Sequence, residues 1–175
     1  MPKISLQNIN IISIVPLMAK WMNDPEVVKY THHTAGEATA GKELQFIEDC
    51  QNNGDLLMAI MLDSVPIGTI LVSNYHPVNK TATVSIMIGE KQHWGKGCAT
   101  EAVKLMVDLT FTTTDINRIE VGMAAENPGS VAVFEKNGFA SEWTETEKVF
   151  CCGRFMDAYK MRLLKKEWES EQNGN

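Results

Sequence analysis

Two glycines, Gly95 and Gly97, stand in the run Gln92-His93-Trp94-Gly95-Lys96-Gly97-Cys98-Ala99-Thr100. Before the run, Ala82 to Ile88 (ATVSIMI) is β-branched and apolar and reads as a strand. After it, Ala99, Ala102, Val103, Met106 and Leu109 recur at helical spacing. The glycines therefore close a strand and open a helix. The first turn of a helix carries N–H groups with no intrahelical partner, and the macrodipole adds about half a positive charge there. Glycine lets a phosphate approach the backbone without a Cβ in the way. The chemistry is that of an anion cradle. Two phosphate signatures are excluded. The dinucleotide fingerprint G-x-G-x-x-G would need glycine where Thr100 stands, and a P-loop would need Ser or Thr where Gly97 follows Lys96.

The elements that must hold this loop can be read in order. Ile4 and Leu6 alternate with polar residues and predict a short strand; Ile14 to Met22 predicts a helix. Asp24 can cap and Pro25 suits a first helical position, so Glu26 to Tyr30 reads as a short second turn of helix. The polar loop Thr31 to Gly36 follows, then a helix capped by Thr39 and running to about Asn52, with Leu44, Phe46 and Ile47 inward. Asp55–Leu62 and Ile67–Ser73 read as strands around a turn at Asp63-Ser64-Val65-Pro66. Thr81–Ile88 is the next strand, and the helix after the glycines runs to about Thr112. Arg118–Ala124 reads as a strand, Pro128 begins a helix and Gly138 ends it. Phe139–Phe150 and Arg154–Leu164 form a hairpin around Cys152-Gly153. These periods alone give a mixed α/β domain.

The Gln-x-x-Gly-x-Gly loop resembles the pyrophosphate loop of the GCN5-related N-acetyltransferases. Arg118–Ala124 (RIEVGMA) resembles that fold's fifth strand. Asn127-Pro128-Gly129-Ser130 with Phe134-Glu135-Lys136-Asn137-Gly138-Phe139 resembles its N-x-x-S … F/Y-E-K-x-G-F helix. The resemblance implies an α/β (α+β) single-domain fold over residues 1–168. Its central sheet is mixed, mostly antiparallel, of about seven strands in the family, flanked by helices and splayed between the fourth and fifth. It also implies acetyl-coenzyme A as cosubstrate, with no metal. The pantetheine arm would pair with the backbone of Ser85, Ile86 and Met87. The diphosphate would sit on Gly95 and Gly97, with Gln92, His93, Trp94, Lys96 and Cys98 in the same loop and the amides of His93, Trp94, Lys96 and Cys98 pointing at it. Lys96 either adds charge or is a solvated lysine, and Trp94 packs on the surface or brackets the cofactor. Asn127 holds the pantetheine or caps the helix before Pro128; the two are compatible.

In similar amino-terminal acetyltransferases of ribosomal proteins, the serine matching Ser130 lies beside the thiol. Ser130 therefore either helps protonate the departing thiolate or only caps. Phe134 departs from the family: many members carry a tyrosine acid there, and phenylalanine has no proton to give. The thiol's ordinary pKa of about 8.5 keeps the need for an acid modest. For a general base the candidates are Glu126, Glu145, Glu147, His32 and His33. In the ribosomal-protein enzymes a glutamate base lies on the sixth strand. A gapless alignment from Ser130 puts that place at Val149, and alternation would keep Glu147 on its face, so Glu147 is the catalytic choice, against a solvated strand carboxylate. His32 and His33 would contact the acceptor, or else form a plain polar loop.

At 175 residues the chain is about one domain with a real core. A net charge of -6 argues against nucleic acid as main partner. No apolar run approaches the ~20 residues of a membrane span. MPKISLQNIN lacks the apolar core of a secretory signal, so a cytoplasmic setting is expected. Cys50, Cys98, Cys151 and Cys152 show no zinc or disulfide spacing, and none is placed as a nucleophile, so the amine attacks the thioester directly. Glu169–Asn175 reads as a polar, frayed tail. Trp21–Val27, Trp94–Gly97 and Gly153–Asp157 resemble the ribosomal-protein branch, whose relatives also acetylate polyamines, aminoglycosides and nucleotide-linked amino sugars. The expected acceptor is a small amine or amino sugar, ahead of a protein N-terminus. The final hairpin could support a homodimer. The alternative is a non-catalytic coenzyme A-binding module.

Overall fold

The computed structural model describes residues 3–31, 33–151 and 153–173. Their strands are β1 (Ile4–Asn8), β2 (Leu56–Leu62), β3 (Val65–His76), β4 (Thr81–Ile88), β5 (Arg118–Ala124), β6 (Ala140–Cys151) and β7 (Arg154–Leu164). The helices are α1 (Ile11–Met22), α2 (Ala40–Asn53), α3 (Cys98–Thr113), α4 (Pro128–Glu135) and α5 (Lys165–Asn173). The strands form one sheet in the order β1-β2-β3-β4-β5-β7-β6. Every neighbouring pair is antiparallel except β4–β5. That parallel pair is joined only where Thr81–Thr83 meets Arg118–Glu120. Past Thr83 the two strands part, and the edge of β4 facing β5 is left open. The splay expected from the resemblance is present.

Alternation along β2 divides the core between the two faces of the sheet. Met58 and Ile60 pack with Val103, Met106 and Phe111 of α3, whereas Ala59 and Met61 pack with Ile14, Met18, Trp21 and Ile47 of α1 and α2. Asn10 caps α1 by accepting from the N–H of Ile12 (3.1 Å), and Thr39 caps α2 by accepting from Lys42 N–H (3.3 Å).

Four local expectations need correction. Glu26 to Tyr30 forms turns and no helix. Asp24 does cap, taking the Glu26 N–H at 2.9 Å, but a single turn cannot repay helix nucleation and the chain moves on. On α2 the buried stripe is Glu43, Ile47 and Cys50, while Phe46 is 40% exposed. Phe46 lies about 100° of helical rotation from Ile47. The β2–β3 turn is only Asp63-Ser64, both at positive φ, and Pro66 lies within β3. Two residues at positive φ match the twist of a tight hairpin. The polar end continues as α5 to Asn173: Trp168 stacks at 5.5 Å on Phe111 and donates to Asp108 Oδ1 at 2.7 Å, and Glu167 holds Arg162 at 2.6 Å.

Candidate active site

The start of the glycine loop is fixed from α1. The Trp21 ring lies so close over Gly89 that a Cβ there would meet it at 2.1 Å. Lys20 Nζ and Trp21 Nε1 both donate to Glu90 Oε1, at 2.7 and 2.9 Å. Lys20 first and Trp21 second hold the Glu90 carboxyl below its usual range. A 3₁₀ turn, Lys91–His93, follows. It consumes the His93 and Trp94 N–H groups, which donate to Glu90 O and Lys91 O at 3.0 Å each. These two amides therefore do not point at a phosphate, contrary to expectation. The Trp94 indole donates to Ile88 O at 2.8 Å and pins the loop to the end of β4.

From Gly95 the backbone opens. Gly95 and Gly97 have φ of +70° and +80°, and a Cβ on either would meet nothing within 4 Å. Gly97 caps α3 without a side-chain hydrogen bond, and the first helical bond is Glu101 N–H to Gly97 O. The N–H groups of Gly95, Lys96, Gly97, Cys98, Ala99 and Thr100 have no acceptor among the described residues. A row of free donors, positive φ and open space above the glycines fit a diphosphate. Lys96 and Gln92 have exposed side chains and do not line the cleft described next.

A cleft of about 1150 Å³ runs from this row of donors between β4 and β5 to α1 and α2. Ser85, Ile86 and Met87 line it on the β4 side, Val121–Ala124 on the β5 side, and His93, Trp94 and Cys98 at the loop. Asn127, Ser130 and Phe134 line it from α4. Asn127 Oδ1 accepts the Ser130 N–H at 3.2 Å, so the cap is made, while the amide NH₂ and the Ser130 hydroxyl have no partner among the described residues. Phe134 is buried edge-on to Phe139, with centroids 5.1 Å apart.

The far end of the cleft is built from α1, α2 and the loop between them. Lys91 clamps that loop through Asp24 (2.8 Å) and Glu26, and Tyr30 packs on the buried Val149, Cys151, Met156 and Ala158 of the final hairpin. His33 lines the cleft; His32 lies outside the described residues. Of the expected bases, His33 alone among the described residues lines the cleft; Glu126, Glu145 and Glu147 do not. Glu126 pairs with Arg154, and Glu145 lies 3.7 Å from Lys148 and 3.6 Å from Lys160. Glu147 sits in a bulge at φ +49°, exposed, its N–H donating to Asp157 Oδ1 at 2.9 Å. The bulge between Glu145 and Val149 breaks the alternation on which the choice of Glu147 depended, and the place itself, Val149, is buried. Sequence reasoning missed Glu26, Glu37, Glu43 and Lys136, all of which line the cleft. The available signal was Glu43 standing four residues before Ile47 and seven before Cys50 on one helical face.

The family model described as "Acetyltransferase (GNAT) domain" matches residues 11–140. The chain is 31% identical over 158 residues to the uncharacterized N-acetyltransferase p20 of Bacillus licheniformis, covering 87% of this chain and 88% of that protein. It is 31% identical over 113 residues to the putative ribosomal N-acetyltransferase YdaF of Bacillus subtilis, 65% of this chain and 61% of that one. The crystal structure of spermidine N-acetyltransferase from Vibrio cholerae, in complex with CoA and spermine, matches the fold with a TM-score of 0.86. Identity is 21%, over 95% of this chain and 98% of that one. The protein thus belongs to the GNAT acetyltransferase family and is an N-acetyltransferase with acetyl-coenzyme A as its cosubstrate.

Proposed function

We propose that the enzyme moves the acetyl group of acetyl-coenzyme A to the primary amine of a small molecule, by direct attack in a ternary complex. The observation that carries this reading is the single cleft joining the free N–H row at Gly95–Thr100 to an acceptor end that holds Glu26, Glu37 and Glu43. The N–H row holds the diphosphate. The open edge of β4 at Ser85–Met87 and the Asn127 amide hold the pantetheine, and a β4 N–H polarises the thioester carbonyl. The amine gives up its ammonium proton to water and attacks the carbonyl carbon. The C–N bond forms and the C–S bond breaks; the nitrogen sheds its second proton to water, and the Ser130 hydroxyl passes a proton to the thiolate while taking one back from water. Catalysis comes mainly from positioning. No helix among the described residues is long and apolar enough to cross a membrane, and the buried free thiols of Cys50 and Cys98 accord with a cytoplasmic setting.

The test is thiol release from acetyl-coenzyme A over amino sugars, nucleotide-linked amino sugars, polyamines, aminoglycosides and short peptides. Turnover is expected with a small amine. Efficient acetylation of peptide termini with no small amine used would overturn the acceptor assignment. Coenzyme binding without release to any acceptor would make the domain a binding module.

A further inference from the structure

The three carboxylates of the acceptor end are not equivalent. Glu26 is held by Lys91, and Glu37 is exposed. Glu43 is 8% exposed, and no hydrogen bond or ion pair reaches its carboxylate from any described residue. Its sequence neighbour Lys42 is turned away, Nζ donating to Glu37 O at 2.8 Å. Thr69, also 8% exposed, lines the same cleft and presents a second polar side chain with no hydrogen bond to a described residue. Thr69 faces Ala59 on one side and Met87 on the other, so it lies on the sheet face that α1 and α2 cover. Met18, Met22, Phe46 and Leu57 give this end of the cleft apolar wall, and Lys29, Tyr30 and His33 also line it.

A carboxylate buried without a partner is costly. Burial accordingly raises the Glu43 carboxyl above its usual range, with Lys42 only partly opposing it. A leucine or methionine would fill the same stripe of α2 at no such cost. The cost is recovered if a cation arrives in the cleft. The reacting nitrogen must attack as a neutral amine, so a charge that stays on the bound substrate is a second one.

We propose that Glu43 is a specificity-determining residue for the acceptor: its carboxylate binds a second positive charge, and the substrate is a primary amine that carries another cationic group across an apolar spacer. The methionines, Phe46 and Leu57 pack on the spacer, and Thr69 supplies a hydroxyl beside the charge. This rests on the cleft being the site of acetyl transfer.

The experiment compares straight-chain α,ω-diamines with monoamines of the same length, on the wild-type enzyme and Glu43→Gln. The wild type is expected to prefer diamines. Glu43→Gln raises KM for diamines about 10- to 100-fold, the worth of a charged hydrogen bond, with kcat little changed and monoamines unaffected. Glu43→Asp, which keeps the charge, falls between. Without coenzyme, diamines raise the Tm of the wild type and not of Glu43→Gln. Equal use of monoamines and diamines by the wild type overturns the proposal. So does a diamine KM untouched by Glu43→Gln, or a kcat that falls alike for both amine classes. If no amine yields thiol but diamines still stabilise only the wild type, the cation site stands and the acetyl-transfer reading fails.

Discussion

On the proposed function, the two ends of the cleft recognise their ligands by different means. The coenzyme end offers backbone: six free N–H groups from Gly95 to Thr100 and the unpaired edge of β4. The acceptor end offers side chains from α1, α2 and their connecting loop, with Glu43 and Thr69 buried among methionines. Backbone recognition binds one fixed coenzyme and tolerates change in the side chains around it. Side-chain recognition can be retuned residue by residue. The two ends are nonetheless coupled, because Lys91 of the phosphate turn clamps Asp24 and Glu26 of the acceptor loop, and Glu90 seats Trp21 of α1.

The sharpest way to break this contrast is inside the loop. Gly97→Val forces a β-branched residue to φ +80° and sets a side chain in the open space over the donors. Strain of about 1–3 kcal/mol plus the lost approach of phosphate should weaken coenzyme A binding about 100-fold, read by calorimetry. Lys96→Ala, one residue away, removes only an exposed side chain and should change affinity by about threefold or less. If Lys96→Ala costs as much as Gly97→Val, the coenzyme end is not a backbone site.

Next in size is Ser130, the one side chain of the coenzyme end assigned a chemical step. Ser130→Ala should lower kcat about tenfold without altering KM for acetyl-coenzyme A. The deficit should shrink as pH passes the thiol's own pKa of about 8.5, where the thiolate leaves unprotonated. A deficit independent of pH would return Ser130 to a merely structural place in the first turn of α4.

The same contrast governs what the sequence disclosed. The glycine loop, β4 and β5 were legible because a backbone site writes itself in local code: glycines at positive φ between a strand period and a helix period. The resemblance then supplied the sheet order and the splay. The acceptor end was not legible. Glu43 was not singled out in the sequence, because a carboxylate on an amphipathic helix reads as solvated until the packing of α2 on α1 and β2 is known. Glu147 stands apart from the cleft for a related reason. Gapless alignment and alternation assume a regular strand, and three residues, Thr146 to Lys148, bulge out opposite Asp157 alone. The α5 helix escaped notice because its anchor, Trp168 on Phe111 and Asp108, is a tertiary contact.

A smaller effect, on stability, separates the buried acid from ordinary surface acids. Because burial raises the Glu43 carboxyl in the fold, the folded chain holds that proton more tightly than the unfolded one. Its ionisation therefore costs stability as pH rises from the ordinary carboxylate range through the raised value. Glu43→Gln should melt higher than the wild type at about pH 8, with the gain fading towards about pH 4. Melting curves in the absence of amines measure this. A difference of the opposite sign would mean that the carboxylate already has a partner.

The smallest expected effect tests the correction on β6. Glu147 is exposed in the bulge, away from the cleft, and it is the main chain of the residue that Asp157 holds. Glu147→Gln keeps that N–H and the local shape. It should leave kcat/KM within about twofold for every acceptor and stability within about 0.5 kcal/mol. Glu147→Pro removes the N–H donated to Asp157 and cannot adopt positive φ, so it should destabilise the hairpin that supports Tyr30. A large loss of kcat in Glu147→Gln at unchanged stability would show that the bulge carries this carboxylate to the acceptor during turnover. The acceptor end would then include a residue that the resting cleft leaves out.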